Sequence, residues 1–317
     1  MVTGGWWLAG ESGRALRIGR GGQELVRYVY RPDDPPRESP RPFWHPVRTL
    51  AGQPVSRCRP DDHVWHKGIA WSLPNLRGPA GTENFWGGTT YLRDRGYRQL
   101  PNNGAVVHRE FTERAAGPGR VVVAQRLAWL TQAGQTWFDE HRRFTVGLAG
   151  TGWVLTFHTR LTNRTGSPVG IGSPTTEGRD NAGYGGLFWR GPEWFDGGTV
   201  HTPERSGGDE LMGVRAPWLG FTGRAPGPGP GATLVFVDPP DNPGHPTRWF
   251  VRARPYACAC PAPFFRTEVP VAPGGTLALR YAVVVADGDP GRAGVGALAA
   301  AGLAALAGEP SARAVGG

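Results

Sequence analysis

The chain has 317 residues, of which 50 are glycine, 31 are proline and 39% are hydrophobic. Its 13 tryptophans, 13 phenylalanines and 7 tyrosines argue against disorder, because aromatic side chains at this density build packed cores or stacking surfaces. The formal charge of +9 comes from arginines scattered along the chain without a one-sided basic run, which argues against nucleic acid as a partner.

No window approaches the roughly 18 uninterrupted apolar residues of a membrane span, so no membrane partner is expected. No basic start followed by an apolar run marks a secretory leader. Cys58, Cys258 and Cys260 are odd in number, and the last two are too close in sequence for an ordinary structural bridge. We therefore expect a cytoplasmic protein with reduced thiols.

The predicted elements, taken in chain order, are short strands separated by turns that contain Gly, Pro or Asn. They lie at residues 16–19, 24–30, 105–113, 120–130, 136–146, 153–161, 169–176, 184–190, 218–222, 232–237, 248–254, 264–269 and 276–286. Strands and helices do not alternate, which excludes a parallel α/β fold. The one helical signal is the alanine-rich segment 289–307, in which Val295, Leu298 and Leu306 form an apolar stripe.

We therefore predict an all-β fold, a large antiparallel β-sandwich with one C-terminal helix. Residues 1–317 are expected to form a single domain. Its core is predicted at 15–288, its helix at 289–307 and a frayed tail at 308–317.

Residues 41–86 hold three histidines, three carboxylates and four tryptophans, more reactive side chains than any other part of the chain. Within them, His63 and His66 can bind one metal ion if the backbone turns tightly. Asp61 and Asp62 could add ligands or fix the tautomer of a histidine. The alternative is that these histidines cap turns and hydrogen-bond backbone carbonyls.

His108 and Glu110 form a second constellation on the predicted strand 105–113. Side chains two residues apart on a strand point to the same side, and Val106 would share that face. The pair could act as a general acid and base or as metal ligands. A half-buried sheet surface without chemistry is the alternative.

Arg190 follows the aromatic segment that begins at Tyr184, and an arginine flanked by aromatic residues could bind a carboxylate or a sugar hydroxyl. The motifs of serine hydrolases, P-loop proteins and dinucleotide-binding proteins are missing. No nucleotide cofactor is therefore expected.

Several blocks together resemble a bacterial family labelled "PmoA family", or methane oxygenase-like, in order over residues 24–289. They are Arg-Pro-Phe-Trp-His-Pro-Val-Arg-Thr from residue 41, Asp62-His63-x-x-His66-x-Gly68, Asn84-Phe85-Trp86, Tyr184-Gly185-Gly186-Leu187-x-x-Arg190, Ala216-Pro217-Trp218, Asp241-Asn242-Pro243-x-His245-Pro246, Arg280-Tyr281 and Asp287-Gly288. Val64-Trp65 and Lys67 stand where many relatives have Pro-His and Arg, which removes one possible ligand. The resemblance implies a galactose mutarotase-like supersandwich and a carbohydrate, glycoside or polyhydroxylated natural product as the small-molecule substrate.

The leading hypothesis is an enzyme of the epimerase, lyase or hydratase type that moves protons on such a substrate. The predicted catalytic residues are His63, His66, His108 and Glu110, and the first three are also the predicted ligands of one divalent metal, Zn or Mn. The predicted substrate-binding residues are His45, Arg48, Trp44, Trp65, Asn84, Trp86, Tyr184 and Arg190.

Two other functions remain open at this point. The same histidines could hold copper or iron in an oxygenase, or the aromatic residues could belong to a sugar-binding module without catalysis. The sequence leaves open the substrate, the reaction, the presence of a metal, the oligomeric state and the role of Cys258 and Cys260.

Overall fold

The computed structural model of the protein describes residues 4–309 except 226 and 228. Most of the predicted tail, residues 310–317, lies outside that part. The described residues form one α-helix, α1 (Gly291–Ala307), three single-turn 3₁₀ helices and 23 strands. The strands are β1 (Trp6–Glu11), β2 (Ala15–Arg20), β3 (Gln23–Val29), β4 (Phe43–Val47), β5 (Ile69–Ser72), β6 (Asn75–Gly78), β7 (Gly81–Glu83), β8 (Thr90–Leu92), β9 (Gly96–Arg98), β10 (Ala105–Ala116), β11 (Arg120–Leu130), β12 (Thr136–Ala149), β13 (Gly152–Asn163), β14 (Val169–Gly172), β15 (Gly186–Arg190), β16 (Thr199–His201), β17 (Ser206–Gly207), β18 (Trp218–Gly223), β19 (Ala232–Val237), β20 (Trp249–Arg252), β21 (Cys258–Pro261), β22 (Val269–Val271) and β23 (Thr276–Asp287).

Two large antiparallel sheets dominate the described part of the chain. One has nine strands in the order β10-β11-β12-β13-β23-β19-β18-β16-β17, and the other has eight in the order β1-β2-β3-β4-β5-β15-β21-β20. Smaller sheets contain β22-β14-β6-β7 and β8-β9. The predicted fold class, an antiparallel β fold with one C-terminal helix, is confirmed.

Aromatic side chains from both large sheets meet in the core. Trp44 of the eight-stranded sheet contacts Phe144 and Phe157 of the nine-stranded sheet at ring-centroid distances of 5.2 and 5.9 Å. Trp71 contacts Phe157 at 5.7 Å. Rings of this size remove much apolar surface from water, which is the main force that holds two sheets together.

Helix α1 covers the opposite face of the nine-stranded sheet. Its predicted apolar stripe, Val295, Leu298 and Leu306, is buried in one cluster with Val235 and Val284 of that sheet. The helix was therefore predicted correctly, together with the face that it buries. No helix in the described part of the chain has the length and hydropathy that a membrane crossing requires.

Two of the predicted strands differ from the structure by four residues or more. Residues 264–268 form turn and loop instead of a strand, because the Phe265 amide donates to the Ala262 carbonyl at 3.1 Å and closes a turn there. The strand predicted at 169–176 ends at Gly172, since the Ser173 and Thr176 side chains bond the backbone of a turn there. The sequence did not predict β1 or nine strands of two to five residues, which are too short to show a period: β4, β5, β6, β7, β8, β9, β16, β17 and β21.

A buried ion pair lies on β12. The Arg142 guanidinium donates from Nε and Nη2 to the Glu140 carboxylate at 2.7 and 2.9 Å, and both side chains are fully buried. Trp129 Nε1 and Thr159 Oγ1 donate to the same carboxylate at 2.8 and 2.9 Å. Every charged atom of the pair thus has a partner, which is the condition under which a buried ion pair is tolerated.

We expect Glu140→Gln to lower the free energy of unfolding by about 3–5 kcal/mol, because it leaves the Arg142 charge buried without a counterion. The matched control is Asp139→Asn on the same strand, which removes an exposed pair with Arg164 at 3.1 Å. That change should cost no more than about 1 kcal/mol. Urea denaturation of the three proteins measures the difference, and equal losses for both variants would contradict this account.

Candidate functional site

The segment that carries the two neighbouring histidines, residues 58–68, is called the histidine loop. It connects β4 to β5 and is closed at its base by the bridge between Cys58 and Lys67. The Arg59 amide donates to the His66 carbonyl at 2.8 Å, and the His66 amide donates to the His63 carbonyl at 2.9 Å. The backbone therefore makes the tight turn that the sequence analysis required for His63 and His66 to act together.

A buried charge cluster supports the histidine loop from below. The Lys67 ammonium is 1% exposed and pairs with Asp34 at 2.9 Å and with Glu38. Arg59 donates two further bonds to Glu38 at 2.7 and 3.0 Å. Burial alone would raise the pKa of Glu38, but the hydrogen bonds from Arg59 and Lys67 outweigh it and hold that pKa below its ordinary value.

Arg41 fixes the tip of the histidine loop. Its guanidinium is buried and donates from Nη2 to the Trp65 carbonyl at 2.7 Å and from Nη1 to the Glu38 and Ser39 carbonyls at 2.9 Å. Ser72 accepts a bond from Nε at 2.5 Å. Burial lowers the pKa of Arg41 to about 10, so the group remains a cation near neutral pH.

Arg190, at the end of β15, contacts both Asp62 and His66 of the histidine loop. Its Nη1 lies 3.0 Å from His66 Nδ1, and its Nη2 lies 3.1 and 2.9 Å from the two oxygens of Asp62. The guanidinium stacks over the Tyr256 ring at 3.8 Å and is 3% exposed. Arg190 therefore holds Asp62 and His66 in fixed positions.

These contacts fix a different tautomer on each histidine. Because a guanidinium only donates, His66 Nδ1 accepts, and the proton of the neutral ring lies on Nε2. Because an ionised carboxylate only accepts, His63 donates from Nδ1 to Asp62 at 2.8 Å, which leaves a lone pair on His63 Nε2. The two rings stack in parallel with centroids 4.5 Å apart. The pair thus presents one acceptor and one donor nitrogen.

The charge states of His66 and Asp62 follow from their surroundings. Burial, with further contributions from His63 and Arg190, holds the pKa of His66 well below its ordinary value, so this ring is neutral. For Asp62, burial would raise the pKa, but the hydrogen bonds from His63 and Arg190 outweigh it and lower the pKa. The carboxylate beside His63 is therefore ionised.

Both histidines line a cavity of about 450 Å³ whose walls are mostly aromatic. Trp86 packs on Tyr184 at 4.6 Å, and the hydroxyl groups of Tyr184 and Tyr97 are 2.9 Å apart. The other lining residues are Trp65, Gly87, Thr89, Arg179, Ala182, Phe188, Phe250, Arg252, Pro255 and Tyr256. A volume of this size accommodates a small ligand.

The structure brings together part of the predicted site. His63, His66, Trp65, Trp86 and Tyr184 line the cavity, with Arg190 directly behind the histidines as described above. Asn84 lies behind the wall. Its side-chain oxygen accepts from the backbone amides of Trp86 and Gly87 at 2.8 and 2.9 Å, which positions that part of the wall.

The prediction that the side chains of His108 and Glu110 share one face of a strand is wrong. A register shift between the two residues interrupts β10, so their side chains do not point to the same side. His108 is buried between Tyr30 and Phe111 and bonds Gln125 at 2.7 Å. Glu110 is exposed, and its side chain pairs with Arg126. Neither residue lines the cavity.

Trp44, His45 and Arg48 do not line the cavity either. They lie on or beside β4, which is enclosed between β3 and β5, and this places Trp44 in the core between the two sheets. His45 Nδ1 bonds Ser56 at 2.9 Å, and burial, followed by repulsion from Arg48 and Arg27, lowers the pKa of His45 to about 4. Direct contact of these three residues with a ligand in this cavity is therefore not expected.

The three predicted metal ligands do not converge. His63 and His66 stack on each other while His108 lies in the packing of β10, and both Nδ1 atoms of the stacked pair already have partners. Within the described residues, no group of three His, Cys, Asp or Glu side chains is arranged to hold a metal ion. The residues present therefore do not fit the metal site that was predicted for an isomerase, a lyase or an oxygenase.

The sequence analysis missed much of the cavity wall, namely Tyr97, Phe188, Phe250, Tyr256 and the arginines at 179 and 252. Their sequence positions span more than half of the chain, and no local spacing connects them with the histidine loop. The only available signal was an aromatic residue two positions before an arginine, as in Phe250-Val251-Arg252.

A family model matches the chain over residues 15–300, and its description is "Family of unknown function (DUF6807)". No comparison supports the PmoA label that the motifs suggested. No curated protein matches the chain in sequence.

Several solved structures are similar to the chain at low sequence identity. The galactosidase domain of the α-galactosidase–sucrose kinase AgaSK is 9% identical with a TM-score of 0.41, over 89% of this chain and 39% of that one. A mutant heparan sulfate lyase HepC from Pedobacter heparinus is 10% identical with a TM-score of 0.35, over 87% and 31%. A galactose mutarotase related enzyme from Lactobacillus acidophilus is 10% identical with a TM-score of 0.33, over 90% and 98%.

The chain thus spans less than half the length of the first two of these proteins. Similarity at this level assigns no activity to the chain.

We expect His66 to remain a neutral ring with its proton on Nε2 as the pH falls through the ordinary titration range of histidine, because burial and adjacent cations disfavour the imidazolium. Two-dimensional ¹H–¹⁵N NMR of the histidine rings measures the tautomer and the titration. In Arg190→Met the fixed tautomer should be lost, since Nδ1 no longer has a donor. Protonation of wild-type His66 near pH 6.5 would contradict this assignment.

Proposed function

The chain belongs to that family of unknown function, DUF6807, and we propose that it is an enzyme that moves a proton on a small sugar-like molecule bound in the aromatic cavity. The observation that carries the proposal is the pair of stacked histidines with opposite tautomers. Such an arrangement provides a base and a hydrogen-bond donor side by side, which is what proton transfer next to an oxygen atom needs.

His63 is the proposed general base. Its Nε2 lone pair faces the side of the ring away from Asp62, and the ionised Asp62 stabilises the imidazolium that forms when Nε2 accepts a proton. Asp62 in turn is held by Arg190, so the carboxylate stays ionised and in place. A carboxylate that accepts a hydrogen bond from Nδ1 fixes the orientation and the tautomer of a catalytic histidine in this way.

His66 is the proposed donor. Its Nε2–H can bond a carbonyl or hydroxyl oxygen of the substrate and stabilise negative charge that develops there. Because the pKa of His66 is held well below its ordinary value, the ring donates a hydrogen bond as a neutral group near pH 7.

The aromatic wall supports a sugar-like substrate. Trp65, Trp86 and Tyr184 offer flat apolar surfaces, on which the C–H faces of a sugar ring pack, while Tyr97 and Thr89 offer hydroxyl groups. Epimerisation, elimination and hydration all fit this site. They share the removal or return of a proton beside a carbonyl and differ only in what leaves or enters next.

We expect His63→Asn to lower the rate by about 10²–10⁴-fold, because the general base is lost. Asp62→Asn should lower it as well, since the neutral amide no longer stabilises the imidazolium. The matched control is His141→Asn, which removes a part-buried histidine of β12 that does not line the cavity.

¹H NMR in D₂O measures activity on D-glucose, D-galactose and their uronic acids. It reports anomer interconversion, exchange of carbon-bound hydrogen and the appearance of alkene protons. Binding of these sugars without turnover would favour a sugar-binding module instead. Full turnover by His63→Asn would exclude His63 as the base.

A further inference from the structure

We propose that the substrate carries a carboxylate group, which Arg179 and Arg252 bind inside the cavity. The inference rests on the proposed function of the same cavity and adds the chemical class of the substrate, an acidic sugar of the uronate type.

The described part of the cavity wall carries positively charged side chains and no negatively charged ones. Arg179 and Arg252 both line the cavity, and none of the described lining residues is an aspartate or a glutamate. Asp62 lies behind His63, but its charge is already matched by Arg190, which donates to both of its oxygens. The space that a ligand would fill is therefore bordered by two cations without a carboxylate of the protein.

A continuous series of contacts joins the two arginines through one wall of the cavity. The Arg179 guanidinium lies 4.7 Å from the Tyr97 ring centre and donates to the Tyr97 hydroxyl. Tyr97 bonds Tyr184, and Tyr184 packs on Phe250 at 5.5 Å. The Arg252 guanidinium lies 5.7 Å from the Phe250 ring centre. Aromatic faces thus position both cations along this wall.

Neither arginine forms an ion pair with a carboxylate anywhere in the described residues. This distinguishes them from the arginines that support the site, since Arg59 and Arg190 each bind a carboxylate of the protein. A guanidinium presents parallel N–H donors that match a carboxylate, so the ligand is expected to supply the missing anion.

The position of these cations also suits the proposed chemistry. The wall of Tyr184 and Trp86 that carries the arginines reaches His66, whose ring centre is 5.8 Å from that of Trp86. A carboxylate bound at the arginines would therefore lie in the same cavity as the proposed base. Cations near a carboxylate stabilise the negative charge that develops when a proton is removed beside it.

Isothermal titration calorimetry with the full chain tests the proposal. The probes are sodium D-glucuronate and D-galacturonate, compared with D-glucose, D-galactose and glucose 6-phosphate. We expect the uronates to bind at least about tenfold more tightly than the neutral sugars, and this preference should shrink at high salt. Arg179→Gln and Arg252→Gln should each weaken uronate binding about 5- to 20-fold and leave neutral sugars unchanged.

The matched control is Arg109→Gln, which removes the same charge from the exposed surface of β10, outside the cavity. It should leave uronate binding unchanged. Arg179→Lys should retain part of the affinity, because the charge stays while the paired donors are lost.

Equal affinity for neutral and acidic sugars, tighter binding of the sugar phosphate, or no measurable uronate binding would each overturn the proposal. So would uronate affinity that both glutamine variants leave unchanged. Uronate binding that depends on the two arginines but without turnover leaves this inference standing while the proposed function fails. Turnover of neutral sugars that neither glutamine variant changes would leave the proposed function standing while this inference fails.

Discussion

The bonds of the Arg190 guanidinium are the constraint on which the site depends. Arg190 reaches from a strand inside the eight-stranded sheet to two residues of the histidine loop and donates to Asp62 and His66 at once. A buried cation is costly without a counterion, and Asp62 supplies that counterion. The same contact orients His63 through Asp62, adds to the hydrogen bond from His63 that lowers the pKa of Asp62, and adds to the burial that lowers the pKa of His66. One side chain thus fixes the positions of Asp62 and His66 and, through Asp62, of His63.

Much of the fold could be predicted from the sequence, because alternation of apolar and polar residues marks long strands directly. β11 and β19 match the predicted ranges, and the long strands β12, β13 and β23 differ by three residues or fewer at an end. The bulge in β10 could not be predicted, since a register shift leaves no mark on the period of the sequence. This bulge turns the side chains of His108 and Glu110 to different sides, although a spacing of two residues predicts that they share a face.

The candidate site could be predicted only where it is local. His63, His66 and Trp65 belong to one loop, so their density in sequence becomes proximity in space. Trp44 lies in the same dense stretch, but it is on a strand between two neighbours and is therefore part of the core. Arg179 lies in the loop between β14 and β15 and Arg252 lies on β20, so contacts between distant segments bring them to the cavity, and no single-sequence pattern encodes such contacts. The sequence likewise does not show which of its many arginines stabilise the fold and which line the cavity. Arg41 and Arg142 are buried structural groups, and only their contacts distinguish them from the arginines of the cavity.

The buried position of Lys67 has a practical consequence for chemical labelling. Lys67 is the only lysine of the chain, so apart from the terminal amino group it is the only primary amine. Its ammonium is almost fully enclosed by Asp34 and Glu38, where an acylating reagent cannot approach it. An amine-reactive dye should therefore leave Lys67 of the folded chain unmodified. A label on Lys67 would mark molecules in which the contacts of Asp34 and Glu38 with Lys67 have opened, so the modification rate of this lysine reports that opening directly.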